Sequence, residues 1–124
     1  MTDKTWKAVE RKVALYLGGE RVPVTGRQRG SAPDVLHDKL SIEVKHRQSL
    51  PSWLFDAMEQ AEMSKKGEQI PTVILHQKGQ KIEDCLTILR LSDILSLLSK
   101  ISEFETMEKN YEILKSNSRS PYEY

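Results

Sequence analysis

The sequence predicts an α/β fold, a mixed central sheet of about five strands flanked by α-helices. Three observations carry this reading. Apolar residues recur at helical spacing in separate stretches, and β-branched runs lie between them. The segment around Glu43 and Lys45 is followed by a helical pattern and then by another apolar strand, the order of a right-handed βαβ crossover. The chain has 124 residues, 38% of them apolar and 30% charged, enough for a single core under a wet surface.

Thr2 or Asp3 can cap a first helix that runs to about Leu17. Trp6, Val9, Val13 and Leu17 form its apolar stripe, with Ala14 and Leu15 beside it and Glu10 on its flank. Gly18-Gly19 stops the helix. Residues 20–24 read as a short edge strand, because Pro23 cannot donate to a ladder. Residues 25–31, Thr-Gly-Arg-Gln-Arg-Gly-Ser, form a glycine-flanked basic loop whose backbone can approach an anion closely. Arg27 and Arg29 in that loop are the first candidates for phosphate contact, with Arg47 and Lys12 behind them.

Two strands follow, residues 34–38 and 40–47, closed by a turn at Asp38-Lys39. A helix is expected over residues 52–66, with Trp53, Leu54, Ala57, Met58 and Ala61 on its apolar side and Gln60 near the mouth of the site. Residues 71–76 read as a buried strand and residues 85–90 as the second of that pair. Ser92-Asp93 caps a short helix over residues 94–101. The expected domain is residues 1–101. Residues 102–124 read as a charged tail, partly helical to about Lys115 through Met107, Tyr111 and Leu114, or disordered.

The net charge of +1 hides an asymmetry. Residues 1–47 hold ten Lys/Arg against six Asp/Glu, and residues 48–124 hold nine against twelve. The basic half suits a polyanionic partner. Cys85 is the single cysteine, which rules out an internal disulfide, and it reads as core. No secretory segment and no apolar run near twenty residues is seen, so an intracellular, cytoplasmic protein without membrane contact is expected.

The chemistry centres on Asp34, Glu43 and Lys45. A strand alternates its faces, so Glu43 and Lys45 project to one side and Ile42 and Val44 to the other. A hairpin closing at Asp38-Lys39 brings Asp34 alongside Glu43. Two carboxylates and an ammonium then converge, a donor set that suits Mg²⁺ bound with phosphate oxygens and water. By the same parity His46 falls on the opposite side, and His37 and His76 read as bystanders.

Pro33-Asp34, then eight residues, then Glu43-Val44-Lys45 resembles the signature of the PD-(D/E)xK, restriction-endonuclease-like, nuclease superfamily. Glu10-Arg11, Arg21-Val22-Pro23 and the basic loop tighten the resemblance to archaeal-type and phage Holliday-junction resolvases over about residues 5–95. The resemblance implies a restriction-endonuclease-like core. It implies Asp34, Glu43 and the Val44 carbonyl as metal ligands, Lys45 as the catalytic lysine, and Glu10 as the helix carboxylate that completes the site. It makes Thr25 or Ser31 the loop hydroxyl near the scissile phosphate. It implies a Mg²⁺-dependent endodeoxyribonuclease, with Mn²⁺ able to substitute, that leaves 5′-phosphate ends. Its substrate would be branched DNA, a four-way junction nicked symmetrically by a homodimer. Residues 27–32 depart from the family by being short, which alters the contacts to the junction arms. Two other readings are a restriction- or repair-type nuclease on duplex or flap DNA, and a DNA-binding recombination accessory protein without catalysis.

Overall fold

The computed structural model describes residues 5–21 and 34–117. It divides into two compact units, residues 1–50 and residues 51–124.

In the first unit, helix α1 spans Thr5–Leu17 and buries Glu10, Ala14 and Leu17. The buried face is rotated from the expected stripe. Leu15 is exposed, and Trp6, Val9 and Val13 are only half-buried. The helix closes in a Schellman motif. Gly18, at φ +73°, donates to the Leu15 carbonyl at 3.3 Å, and Gly19 donates to the Ala14 carbonyl at 2.8 Å. Strand β1, Glu20–Arg21, pairs antiparallel with β2, Val35–Leu36, in the register Glu20 to Leu36 and Arg21 to Val35. Val35 is fully buried. Gly19 lies against β2 so closely that a Cβ there would overlap the Leu36 carbonyl oxygen and Val35 Cγ1.

The turn after β2 is built by His37. Its Nδ1 accepts hydrogen bonds from the amides of Lys39 at 3.1 Å and Leu40 at 3.3 Å. A nitrogen that accepts carries no proton. The approach of Asp38 Oδ1 to the same atom at 3.4 Å is therefore not an ion pair. The chain then returns past Val35, which bridges Ile42 antiparallel.

In the second unit, helix α2 spans Ser52–Ser64 behind Pro51 and buries Met58. Leu54, Ala57 and Ala61 flank Met58 half-buried, while Trp53 is exposed. Strands β3, Val73–Leu75, and β4, Leu86–Ile88, pair antiparallel from Val73 opposite Ile88 to Leu75 opposite Leu86. Gln80 organises their connection. Its side chain accepts from the Gln77 amide at 3.2 Å and donates to the Asp84 carbonyl at 2.8 Å, ahead of a 3₁₀ turn at Ile82–Asp84. Helix α3 spans Leu91–Asn117 as one element of 27 residues. At its start Arg90 pairs with Glu62 of α2, which raises the guanidinium pKa through the side-chain hydrogen bond and the neighbouring charge.

The expected fold class is corrected. Among the described residues there are three α-helices and two separate two-stranded antiparallel sheets, not one mixed sheet of about five strands, and this does not fit a restriction-endonuclease-like core. The strands are too short to extend. Residues 43–47 carry no ladder, since Lys45-His46-Arg47 follows Val44 with three exposed polar residues and no further inward position. The run 71–76, read as buried, belongs to a sheet with one covered face, and Ile74 is 65% exposed. Its partner strand is the antiparallel β4, so the parallel crossover is not formed. Cys85 is half-buried rather than core. The expected short helix over residues 94–101 does not stop there but continues to Asn117. No described helix is long and apolar enough to cross a membrane.

Candidate metal and nucleic-acid site

Asp34 stands immediately before β2 and is 6% exposed. Its amide donates to the Ile42 carbonyl at 2.9 Å, while Val35 is the bridge partner of the same Ile42. Two residues thus oppose one, the count of a β-bulge, which bends a strand and re-aims a side chain. The Asp34 side chain turns across to the opposing segment, where Oδ2 accepts the Val44 amide hydrogen at 2.6 Å. The carboxylate takes the place that a backbone carbonyl would hold in a regular ladder.

Residues 41–45 alternate exposed and half-buried. Ser41, Glu43 and Lys45 face solvent, and Ile42 and Val44 turn inward. This is the parity expected from the sequence, reached with one bridge rather than a ladder. Asp34 meets the chain at Val44, the residue between Glu43 and Lys45. The backbone group that Val44 presents to Asp34 is its N–H. The carbonyl was the group expected to bind metal.

Glu10 is 4% exposed on the inner side of α1. Its Oε2 accepts from Arg21 Nε at 2.8 Å, and the Arg21 side chain is 17% exposed. The guanidinium lies 5.9 Å from the centroid of the Trp6 ring, and the Lys7 ammonium lies 5.5 Å from the same centroid. The register explains the pairing, because Arg21 opposes the buried Val35 and so points toward α1. Glu10 has its counter-charge inside the unit. No group of three or more His, Cys, Asp and Glu that could hold a metal ion occurs among the described residues, so Glu10, Asp34 and Glu43 do not gather as a three-carboxylate cluster.

The donor set at residues 34 and 43 still suits a hard cation. A carboxylate offers about four lone-pair sites, and the Val44 amide occupies one of them on Asp34. Glu43 supplies a second oxygen donor in solvent, where water completes a coordination shell. Lys45 is exposed, as Glu43 is, with the half-buried Val44 between them.

Among the candidates for DNA contact, Lys12 is exposed on α1. Arg47 is exposed and donates through Nη1 to the His46 carbonyl at 3.0 Å. Gln60 is exposed on α2. Thr25, Arg27, Arg29 and Ser31 lie outside the described residues. Sequence reasoning overlooked Arg21 as the partner of Glu10 and His37 as the builder of the turn. Register alone could have pointed to Arg21. A histidine accepting two amides leaves no pattern in the sequence.

No protein-family model matches this chain, and no curated protein or solved structure matches it.

Proposed function

We propose that this protein is a divalent-metal-dependent DNA endonuclease, and that its substrate is a four-way junction cut symmetrically by two copies of the chain. The observation that supports it most is the bond from the Val44 amide to Asp34, which ties a buried carboxylate to the backbone between Glu43 and Lys45. The reading rests on the local register of residues 34–45 and not on the size of a sheet. The excess of Lys/Arg over Asp/Glu in residues 1–47 supports a polyanionic substrate on that side.

In this reading Asp34, Glu43 and the Val44 carbonyl would hold Mg²⁺, which would supply charge neutralisation at the phosphodiester and a more acidic water. Lys45 orients the attacking water and offsets charge that builds on the phosphate. The Val44 hydrogen bond fixes the Asp34 carboxylate before substrate arrives. Glu10 acts through Arg21, holding α1 against β1. Arg27, Arg29, Arg47 and Lys12 contact phosphates along the arms.

One observation favours a second reading. Asp34 and Glu10 each have a partner within the fold, as they would in a DNA-binding module without catalysis. A matched set of four-way junction, duplex and flap DNAs, incubated with Mg²⁺ and again with EDTA, separates the readings. The proposal expects paired nicks in the junction, 5′-phosphate ends, and none of this in EDTA. Cutting of duplex or flap alone identifies a restriction- or repair-type enzyme. Binding to the junction with no cutting in Mg²⁺ or Mn²⁺ identifies the accessory module.

A further inference from the structure

From Ile101 onward every described residue of α3 is exposed, a stretch of 17 residues and, at 1.5 Å each, about 25 Å of helix. It is not polar all round. Phe104, Met107, Tyr111 and Leu114 follow one another at steps of three, four and three, and all are 65–67% exposed. Ile101 adjoins them at 45% exposed. The 3-4-3 step is the seam of two heptads, with Phe104 and Tyr111 in one core position and Met107 and Leu114 in the other. A helix folded onto a sheet or a globular core carries a wider and less regular stripe.

We propose that this seam is the self-association surface of the protein, covered by α3 of a second copy. Size supports it. Five large apolar side chains on one helix present a strip of the order of the ~800 Å² that each partner gives to a standard interface. A monomer seldom leaves such a strip open to water. Helix physics supports it as well, since an isolated segment of this length is marginal in water without a packed face. The same seam on a second copy provides the matching knobs and holes, with no further partner required. The inference deepens the proposed two-copy nuclease by naming the surface that joins the copies, but it needs neither metal nor cleavage.

The flanks of the seam make the proposal specific. Glu108 lies on one edge and Glu103 on the other. In a parallel pair Glu108 falls beside Glu103 of the second copy, five residues apart in sequence. In an antiparallel pair centred on the seam it falls beside the second copy's own Glu108. Either way an acid meets an acid, so neutralising Glu108 tightens self-association. A basic partner of another kind would be held more weakly by the same change.

Sedimentation velocity of the full chain, from one to one hundred micromolar, tests this, with circular dichroism to follow helix content. The wild type is expected to show a reversible dimer. Phe104→Ala with Tyr111→Ala is expected to raise the dissociation constant about 30-fold or more. Glu108→Gln is expected to lower it about threefold. A wild type that stays monomeric throughout, with α3 helical, overturns the proposal. So does a double variant that dimerises unchanged, or a Glu108→Gln that weakens the dimer. Because mass is read and not cleavage, an inactive but dimeric protein leaves this inference standing and removes only the nuclease.

Discussion

The Asp34 carboxylate accepts the amide hydrogen of Val44 at 2.6 Å, ten residues along the chain and between Glu43 and Lys45. This contact performs two tasks. It replaces a backbone acceptor where a bulge interrupts the pairing at Ile42, and it fixes a buried carboxylate against the backbone of Val44, the residue between the exposed Glu43 and Lys45. A charge-assisted bond of this kind is shorter and stronger than one between neutral groups.

The two tasks separate by substitution. Asp34→Asn keeps an oxygen acceptor for the Val44 amide and removes the charge. It is expected to fold with a small loss of stability while losing metal binding. Asp34→Ala leaves the amide without its partner and is expected to cost about 1–3 kcal/mol. Chemical denaturation with isothermal titration of Mn²⁺ checks both. An Asn variant that binds Mn²⁺ as the wild type does would remove Asp34 from the metal site.

Glu10 and Arg21 are expected to behave as a buried pair. Glu10→Ala leaves a guanidinium only 17% exposed without its carboxylate, which by analogy with such pairs costs about 3 kcal/mol. Replacing both by well-packed apolar residues is expected to recover much of the loss. A thermal midpoint unmoved by Glu10→Ala would show that the pair carries no structural weight.

Gly18 and Gly19 are required for different reasons. Gly18 needs its left-handed backbone, and Ala there is expected to cost about 1 kcal/mol. Gly19 needs the absence of a Cβ against Leu36 and Val35, so Ala there is expected to cost more and to part β1 from β2. Denaturation of the two variants side by side ranks them, and a milder Gly19→Ala would contradict the close approach.

Helices α1 and α2 were legible in sequence because their apolar residues repeat at helical spacing, whereas α3 was legible only as a short helix and not over its full length. The end of α1 was legible because Gly18-Gly19 has one common structural use. The sheet was not. Strands of two or three residues leave little periodicity to read, and the β-branched run at residues 71–76 looks the same whether it is buried on two faces or covered on one. The rotated face of α1 was hidden for another reason. Glu10 looks like a surface residue until Arg21, eleven positions away, is known to oppose Val35. At the site, the alternation of Ile42, Glu43, Val44 and Lys45 was plain, but the choice of the Val44 amide by Asp34 depends on a bulge, which leaves no sequence signal.

His37 gives a test of the turn. Asn has a side-chain oxygen able to accept the amides of Lys39 and Leu40, whereas Leu has none. His37→Asn is expected to be nearly neutral and His37→Leu to lose about 1–2 kcal/mol. Equal stabilities in urea would mean that the imidazole does not organise the turn.

The most direct measurement is single-turnover cleavage of a four-way junction in Mg²⁺ by the wild type, Glu43→Gln and Lys45→Ala, with junction affinity measured alongside. Both residues are exposed, so both variants are expected to stay folded and to bind the junction nearly as before. Cleavage is expected to fall about 10²–10³-fold or further in each. Cleavage at the wild-type rate in both variants would contradict the assignment of Glu43 and Lys45 to the chemistry.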